Sequence, residues 1–541
     1  MTAPAPPRLA VTTAPTARQD RADAGDRTSP VRTDATLVPA TVLGLVVALA
    51  SSLWQLTKRP LWIDEAISLG ATNQLRQTIR GTGGTMALYY VLLDGWTAVF
   101  GTSPAALRTL SLSLALATIV VGAALARRLL PTAEAALAVI VLAGLPALVR
   151  MAQDARSYAL VMALTTGCWL CLARAVELDA SRGARAARPW FLALVPLAAA
   201  GVLAQGLFSL QLPALLLSVL VLPRRWTLAA RVLPAVAAGL AAVITLMAIG
   251  AGDVADWIPP LAVDQLWPFA ASLLAPEGWV MAVLGALIAV GATVLVRRGF
   301  DRAAAPIDRW RALAPVWWAV APTVGLFALS TVRPTLLARY VFASLPAIAV
   351  LVAVGAVRIA TSVLSPSGGE GGRSKSLLRT AALGALVVVL VAALAQGRIA
   401  RGERPYEDWD AVVELVATEA RPGDGLIFPH AVASQSHRDT VRAPFEAAWS
   451  RVEAPAAVPV ALSPARPLGE VRRFDALGDP GALSASMVRH ERIWVVQFPS
   501  FGPSLREVLA IEPAHSRFAL PEPRTFATGV QVFLLVRSAG E

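Results

Sequence analysis

The sequence predicts an all-α polytopic membrane protein of about eleven transmembrane helices, followed by a small C-terminal extracytoplasmic α/β domain. Three observations predict it. Hydrophobic residues make up 56% of the chain and charged residues only 16%, where soluble domains are about a quarter charged, and the mean hydropathy is +0.60. The charge deficit is gathered into uncharged runs, each long enough, at about 18 to 25 residues, to cross the hydrocarbon core as a helix. The basic residues then fall between those runs with a consistent alternation.

Taken in order, residues 1–35 are rich in Ala, Pro, Thr, Arg and Asp with no apolar period, which predicts a disordered cytoplasmic tail. Ala48-Leu49-Ala50 resembles a cleavage site. The long tail before it and the apolar run that continues past it favour an uncleaved first helix. The predicted spans are 37–57, 104–126, 132–149, 157–177, 189–204, 206–222, 229–250, 279–296, 312–331, 340–357 and 380–397. Together they make a membrane domain over 36–397, with a first outer loop at 58–103. Within that loop, Tyr89–Phe100 has the composition of a helix lying in the membrane interface.

With the N-terminus cytoplasmic, the inner connections hold Arg127 and Arg128, then Arg182, Arg185 and Arg188, then Arg224 and Arg225. Arg297, Arg298, Arg302, Arg309 and Arg311 follow, and finally Arg358, Arg373, Lys375 and Arg379. The outer connections are poorer in Lys and Arg, as expected of a multi-pass plasma-membrane protein. This distribution also accounts for the net charge of +12 without a nucleic-acid partner, because the cations are spread between apolar runs rather than gathered on one face. Cys168 and Cys171 form a C-x-x-C inside an apolar run. With no second pair they read as small packing residues, not as a metal or redox site.

An odd number of crossings places residues 398–541 outside. There, 406–420 has the pattern of an amphipathic helix. Gly425–Phe428, Ile493–Phe498 and Val530–Val536 have the pattern of strands, and Pro422-Gly423-Asp424 that of a turn. His430, His437, His490 and His515 are scattered and read as surface residues.

The chemically dense segments all lie on the predicted outer side. Asp64 and Glu65 are adjacent carboxylates just past the first span. Their mutual repulsion suits a proton acceptor, and neighbours on a helix point about 100° apart, so one of them faces a substrate. A helix start with acidic residues at its positive end explains them equally well. Asp154, Arg156 and Tyr158 open a later span, and Arg339-Tyr340 another. An arginine fork suits phosphate, and interfacial anchoring is the plainer alternative. Trp257 lies in a Pro-stiffened loop, Asp256-Trp257-Ile258-Pro259-Pro260, where sugar stacking and interface anchoring compete.

The series Leu61-Trp62-Ile63-Asp64-Glu65-Ala66, Leu88-Tyr89-Tyr90 with Trp96, Phe100-Gly101 with Leu107-Arg108, Gln153-Asp154-Ala155-Arg156-Ser157-Tyr158, Trp257-Ile258-Pro259-Pro260 and Arg339-Tyr340 resembles the GT-C superfamily of polyprenyl-phosphate-sugar glycosyltransferases. The bacterial mannosyltransferase-like branch, the protein O-mannosyltransferases and the lipid A aminoarabinose transferases are the most similar groups. The resemblance covers roughly residues 37–357. It implies transfer of a sugar, mannose by the branch resembled, from a polyprenyl-phosphate-linked donor in the membrane lipid to a glycan, lipid or protein acceptor on the outer face. It further implies Asp64 as base and Asp154, in the next outer loop, as a second acidic residue; Glu65 is counted with them as a catalytic candidate, and Arg156, Tyr158, Tyr89, Tyr90, Trp257, Arg339 and Tyr340 as residues around the substrate. Many relatives carry an Asp and a His before the Tyr-Tyr pair. Here Gly83-Gly84-Thr85-Met86-Ala87 stands in their place, so a divalent metal is not assigned to any residue. Two other classes compete with transfer: a flippase or transporter of lipid-linked sugar, whose charges would sit in mid-membrane, and an inactive scaffold of the same fold.

Overall fold

The computed structural model describes residues 36–363 and 407–538, except 55, 57–59, 74, 82, 250–257, 276–277, 429–440, 463–464, 467–484, 499–516, 520 and 527–528, together with 384, 391, 392 and 395. The predicted tail, the 380–397 span as a span, Trp257, His430, His437 and His515 lie outside the described residues.

The first part is helical. Helices α1 (Leu37–Leu53), α2 (Ile63–Asn73), α3 (Leu75–Gly81), α4 (Ala87–Phe100), α5 (Pro104–Leu129), α6 (Thr132–Gly144), α7 (Pro146–Ala152) and α8 (Tyr158–Arg182) come first. They are followed by α9 (Ala184–Ala204), α10 (Gln211–Val219), α11 (Arg225–Ile249), α12 (Leu266–Leu273), α13 (Gly278–Phe300), α14 (Pro306–Ser330) and α15 (Leu345–Val363). Among the described residues seven helices are long and apolar enough to cross a membrane, and the bent pair α6–α7 makes an eighth. Two further predicted spans, 37–57 and 206–222, form the shorter apolar helices Leu37–Leu53 and Gly206–Val219. At 17 residues, α1 reaches about 26 Å against a core of about 30 Å.

Pro146 opens α7 with no N–H to offer to the preceding turn, and the α6–α7 pair bends by 55° there. The bend carries Gln153 against the end of α1, where its Nε2 donates to the carbonyls of Ser51 and Ser52 at 3.3 and 2.9 Å. Helices α13 and α15 meet through backbone: a Cβ at Gly291 would lie 1.9 Å from the Leu351 carbonyl oxygen, and one at Gly355 2.0 Å from that of Leu287. Trp169 and Trp318 stack within the bundle at 5.3 Å. Cys168 and Cys171 are buried free thiols packed in the apolar core, as their setting predicts.

The C-terminal part forms a mixed sheet with two helices, α16 (Trp409–Glu419) and α17 (Arg442–Trp449). Its strands are β1 (Gly425–Ile427), β2 (Val460–Leu462), β3 (Ala465–Arg466), β4 (Arg492–Gln497), β5 (Phe518–Ala519), β6 (Arg524–Thr525) and β7 (Gln531–Arg537). The order is β3-β2-β1-β4-β7-β5, with β6 also pairing β7. β1 runs parallel to β2 and β4, and the other pairs are antiparallel. The three predicted strands are β1, β4 and β7, and the predicted amphipathic helix is α16. Its apolar face, Trp409, Val412, Val413 and Val416, joins one core cluster with Phe445 and Trp449 of α17 and Trp494 of β4. Ile63 and Ile67 of α2 belong to the same cluster, so this layer packs directly on the helix that carries Asp64.

Candidate active site

The site is assembled around the first turn of α2. The helical ladder begins where the Ala66 N–H donates to the Trp62 carbonyl at 2.9 Å, so Ile63, Asp64 and Glu65 occupy the first three helical positions. At about 100° per residue they point in three directions. Ile63 is buried in the cluster shared with the C-terminal layer.

Glu65 points into the bundle and is sealed there. Arg108 of α5 grips it with two bonds, Nε to Oε1 at 2.7 Å and Nη2 to Oε2 at 2.6 Å. The side chains are 3% and 1% exposed. Arg108 also donates to the Leu56 and Pro60 carbonyls at 2.7 and 3.0 Å, and the Ala155 N–H donates to Glu65 Oε1 at 3.0 Å. Each polar atom of this pair that the fold buries has partners to offset its desolvation.

Asp64 points between these two anchors and is 19% exposed. Arg339 Nη1 donates to its Oδ2 at 3.2 Å, and Arg156 Nη2 lies 3.6 Å from the same oxygen. Arg156 Nη1 also donates to the Asp64 carbonyl at 3.2 Å. Arg339 sits in a short 3-10 helix, Ala338–Ser344, that leads into α15. Its guanidinium lies 6.0 Å from the ring centres of both Tyr158 and Tyr340, within reach of a cation–π attraction.

Asp154 stands in the connection between α7 and α8, buried, and accepts from the Trp62 indole Nε1 at 2.9 Å. Burial pushes its carboxyl above the usual carboxylate range, and the charge of Glu65 pushes the same way against Arg156 and the Trp62 bond. Trp62, Arg150, Asp154, Tyr158, Arg339 and Phe342 line a cavity of about 140 Å³.

Sequence-predicted residues Asp64, Glu65, Asp154, Arg156, Tyr158, Arg339 and Tyr340 thus come together. Tyr89 stands behind them: its hydroxyl lies 3.5 Å from Ser111 Oγ, which donates to the Arg156 carbonyl at 3.4 Å. The Tyr90 hydroxyl faces the Met86 sulfur at 3.8 Å. Both tyrosines are fully buried. The Gly83–Ala87 segment before the tyrosine pair is a tight turn, with Gly83, Gly84 and Met86 at φ of 63°, 70° and 69°. Left-handed backbone is easy for glycine and unusual for methionine.

Sequence reasoning assigned no role to Trp62, Arg108 or Arg150. It also missed Glu407, whose Oε2 accepts from the Ile63 N–H at 2.8 Å and from the Trp409 indole at 2.9 Å. Burial raises the Glu407 carboxyl to about 7. Guanidinium groups engage Asp64 and Glu65, and indole N–H groups engage Asp154 and Glu407; among the described residues no cluster of three or more His, Cys, Asp or Glu side chains able to hold an ion occurs.

No protein-family model matches the chain, and no curated protein matches it by sequence. Solved structures do match. ArnT from Cupriavidus metallidurans superposes with a TM-score of 0.52 at 16% identity over 91% of this chain and 97% of that one. The form of ArnT bound to undecaprenyl phosphate gives the same score over 92% and 98%. The Archaeoglobus fulgidus oligosaccharyltransferase, tethered to an acceptor peptide containing the NVT sequon, superposes with a TM-score of 0.50 at 11% identity over 93% of this chain and 74% of that one. Both neighbours are GT-C proteins. The chain has the GT-C fold that its motifs resemble.

Proposed function

We propose that the chain is a membrane glycosyltransferase that moves a sugar, mannose by the branch it resembles, from a polyprenyl-phosphate donor to an acceptor hydroxyl on the outer face of the plasma membrane. One observation carries the reading: Asp64 alone of the three acidic residues is held by partly exposed cations, Arg156 and the Arg339 that lines the cavity. Undecaprenyl phosphate bound to a neighbour of the same fold supports a lipid phosphate as the ligand of those cations.

In this reading Arg339 and Arg156 take the donor phosphate by charge-assisted bonds. A cavity of about 140 Å³ is smaller than the roughly 300–1,000 Å³ of whole-ligand pockets, which suits the phosphate while the sugar extends toward Asp64. Once the phosphate occupies the guanidinium groups, Asp64 is freed to act as base. The acceptor oxygen attacks the anomeric carbon as its proton passes to Asp64. The bond from that carbon to the phosphate oxygen breaks, and the polyprenyl phosphate leaves with the electron pair. A single displacement inverts the anomeric centre, as carboxylate-activated water does in inverting hydrolases. The phosphate leaving group needs no general acid, and the two arginines stabilise the charge that grows on it. Glu65, paired to Arg108, positions Asp64, and Asp154 fixes Trp62 at the cavity wall.

The test is an assay of membranes with labelled polyprenyl-phosphate sugars. Asp64→Asn is expected to lose transfer while inserting and purifying like the wild type. Full activity in that variant would remove Asp64 as base, and donor translocation without a new glycosidic bond would favour the flippase reading.

A further inference from the structure

We propose that Glu407 is a positioning residue through which the C-terminal layer sets the direction of Asp64. The inference rests on the reading of Asp64 as the base and adds a residue 344 positions from Ile63 in sequence.

Ile63 is the first residue of α2, and its N–H is one of the donors that the helix itself leaves without a partner. Glu407 supplies that partner at 2.8 Å. The same oxygen takes the indole N–H of Trp409, the first residue of α16. One buried carboxylate oxygen therefore ties the starts of two helices together. Beside this polar tie, Ile63 and Ile67, one helical turn apart, are seated in the cluster of Trp409, Val412, Phe445 and Trp449. On the other side of the same turn, Glu65 is locked to Arg108. Ile63 and Glu65 lie about 200° apart on the helix and Asp64 midway between them. With both neighbours held, Asp64 has no freedom to rotate about the helix axis, and its carboxylate stays opposite Arg156 and Arg339. Removal of the Glu407 tie leaves α2 held on that side by the apolar contacts of Ile63 and Ile67 alone, which fix no hydrogen-bond direction.

The role requires an acceptor oxygen at the reach of a glutamate side chain. Glu407→Gln keeps that oxygen, Glu407→Asp retracts it by one methylene, and Glu407→Ala removes it. Purified full-length protein, quantified as folded monodisperse material, is assayed with the labelled donor. Glu407→Ala is expected to lower kcat per folded molecule by about 10- to 100-fold, the range for a misdirected catalytic group, with little change in donor KM. Glu407→Gln is expected to restore kcat. If the alanine variant does not fold, the same contrast is read between Gln, expected near wild type, and Asp, expected well below it. A kcat per folded molecule equal to wild type in the Ala or Asp variant overturns the proposal, as does a Gln variant no better than these. Asp64→Asn in the same assay separates the two readings: if it keeps full activity, the base assignment fails, whereas loss there with an unaffected Glu407 series sinks only the positioning role.

Discussion

Both ends of the helical bundle carry ion pairs, and the two sets differ in how far water reaches them. At the end opposite the site, Arg128 and Arg311 hold Glu177, Arg231 holds Asp179 and Arg298 holds Glu134, with arginine side chains 19, 32, 29 and 44% exposed. At the site end, Arg108 is 3% exposed and its partner Glu65 1%, while Asp64 next to them is 19% exposed. The first set staples helix ends with arginines that reach water, although the partners Glu134 and Asp179 are only 5 and 7% exposed. The second is a sealed pair whose task is to leave the neighbouring carboxylate in the open.

That contrast can be broken most severely at Arg108. Arg108→Ala strands Glu65 in an apolar setting, and the expected loss is about 3–5 kcal/mol, read as a large fall in melting temperature and in recoverable protein. Replacing both partners by Leu and Met is expected to return most of that stability. A single variant as stable as wild type would show that the pair is not sealed.

A smaller effect is expected at Glu407, through pH. Its folded carboxyl is raised from 4.5 to about 7, so its contribution is fully present below about pH 4.5 and is lost as pH rises through 7. The difference amounts to about 3 kcal/mol. Melting curves from pH 5 to 8 are expected to fall more steeply for wild type than for Glu407→Gln. Asp154 shifts in the same direction and is common to both proteins, so it cancels in the comparison. Parallel curves would mean that Glu407 is hydrated.

The smallest effect belongs to the far end. Asp308 and Arg311 form an i,i+3 pair, 56 and 32% exposed. Asp308→Ala is expected to change stability by about 0.5 kcal/mol or less, with transfer unchanged. A loss of several kcal/mol would erase the distinction between the ends.

How much of this was legible follows from the range of each interaction. Spans and strands are local patterns, so ten of the eleven predicted spans meet a helix among the described residues, and β1, β4 and β7 fall where apolar runs placed them. Asp64, Asp154, Arg156 and Arg339 were visible because charged residues at the ends of apolar helices need a reason to be there. The partners were not visible. Arg108 was noticed only as part of a motif, although an arginine just inside a 26-residue apolar helix demands a buried anion. Glu407 passed as the start of an amphipathic helix, because only the folded sheet brings it to Ile63. The predicted break at Gln205-Gly206 is present as a 3-10 segment, and the two shorter spans were overestimated at their C-terminal ends, where the helices stop at Leu53 and Val219 rather than at 57 and 222.

The seam between α13 and α15 gives the glycine contact a reach beyond its own neighbourhood. Gly355 lies on the helix that continues from the 3-10 turn bearing Arg339, roughly 24 Å along the rod at 1.5 Å per residue. Because backbone meets backbone at Gly291 and Gly355, there is no side chain in between to yield, and α15 has one depth at which it fits. The position of the Arg339 guanidinium along the bundle is thereby registered by a contact at the far part of the same rod.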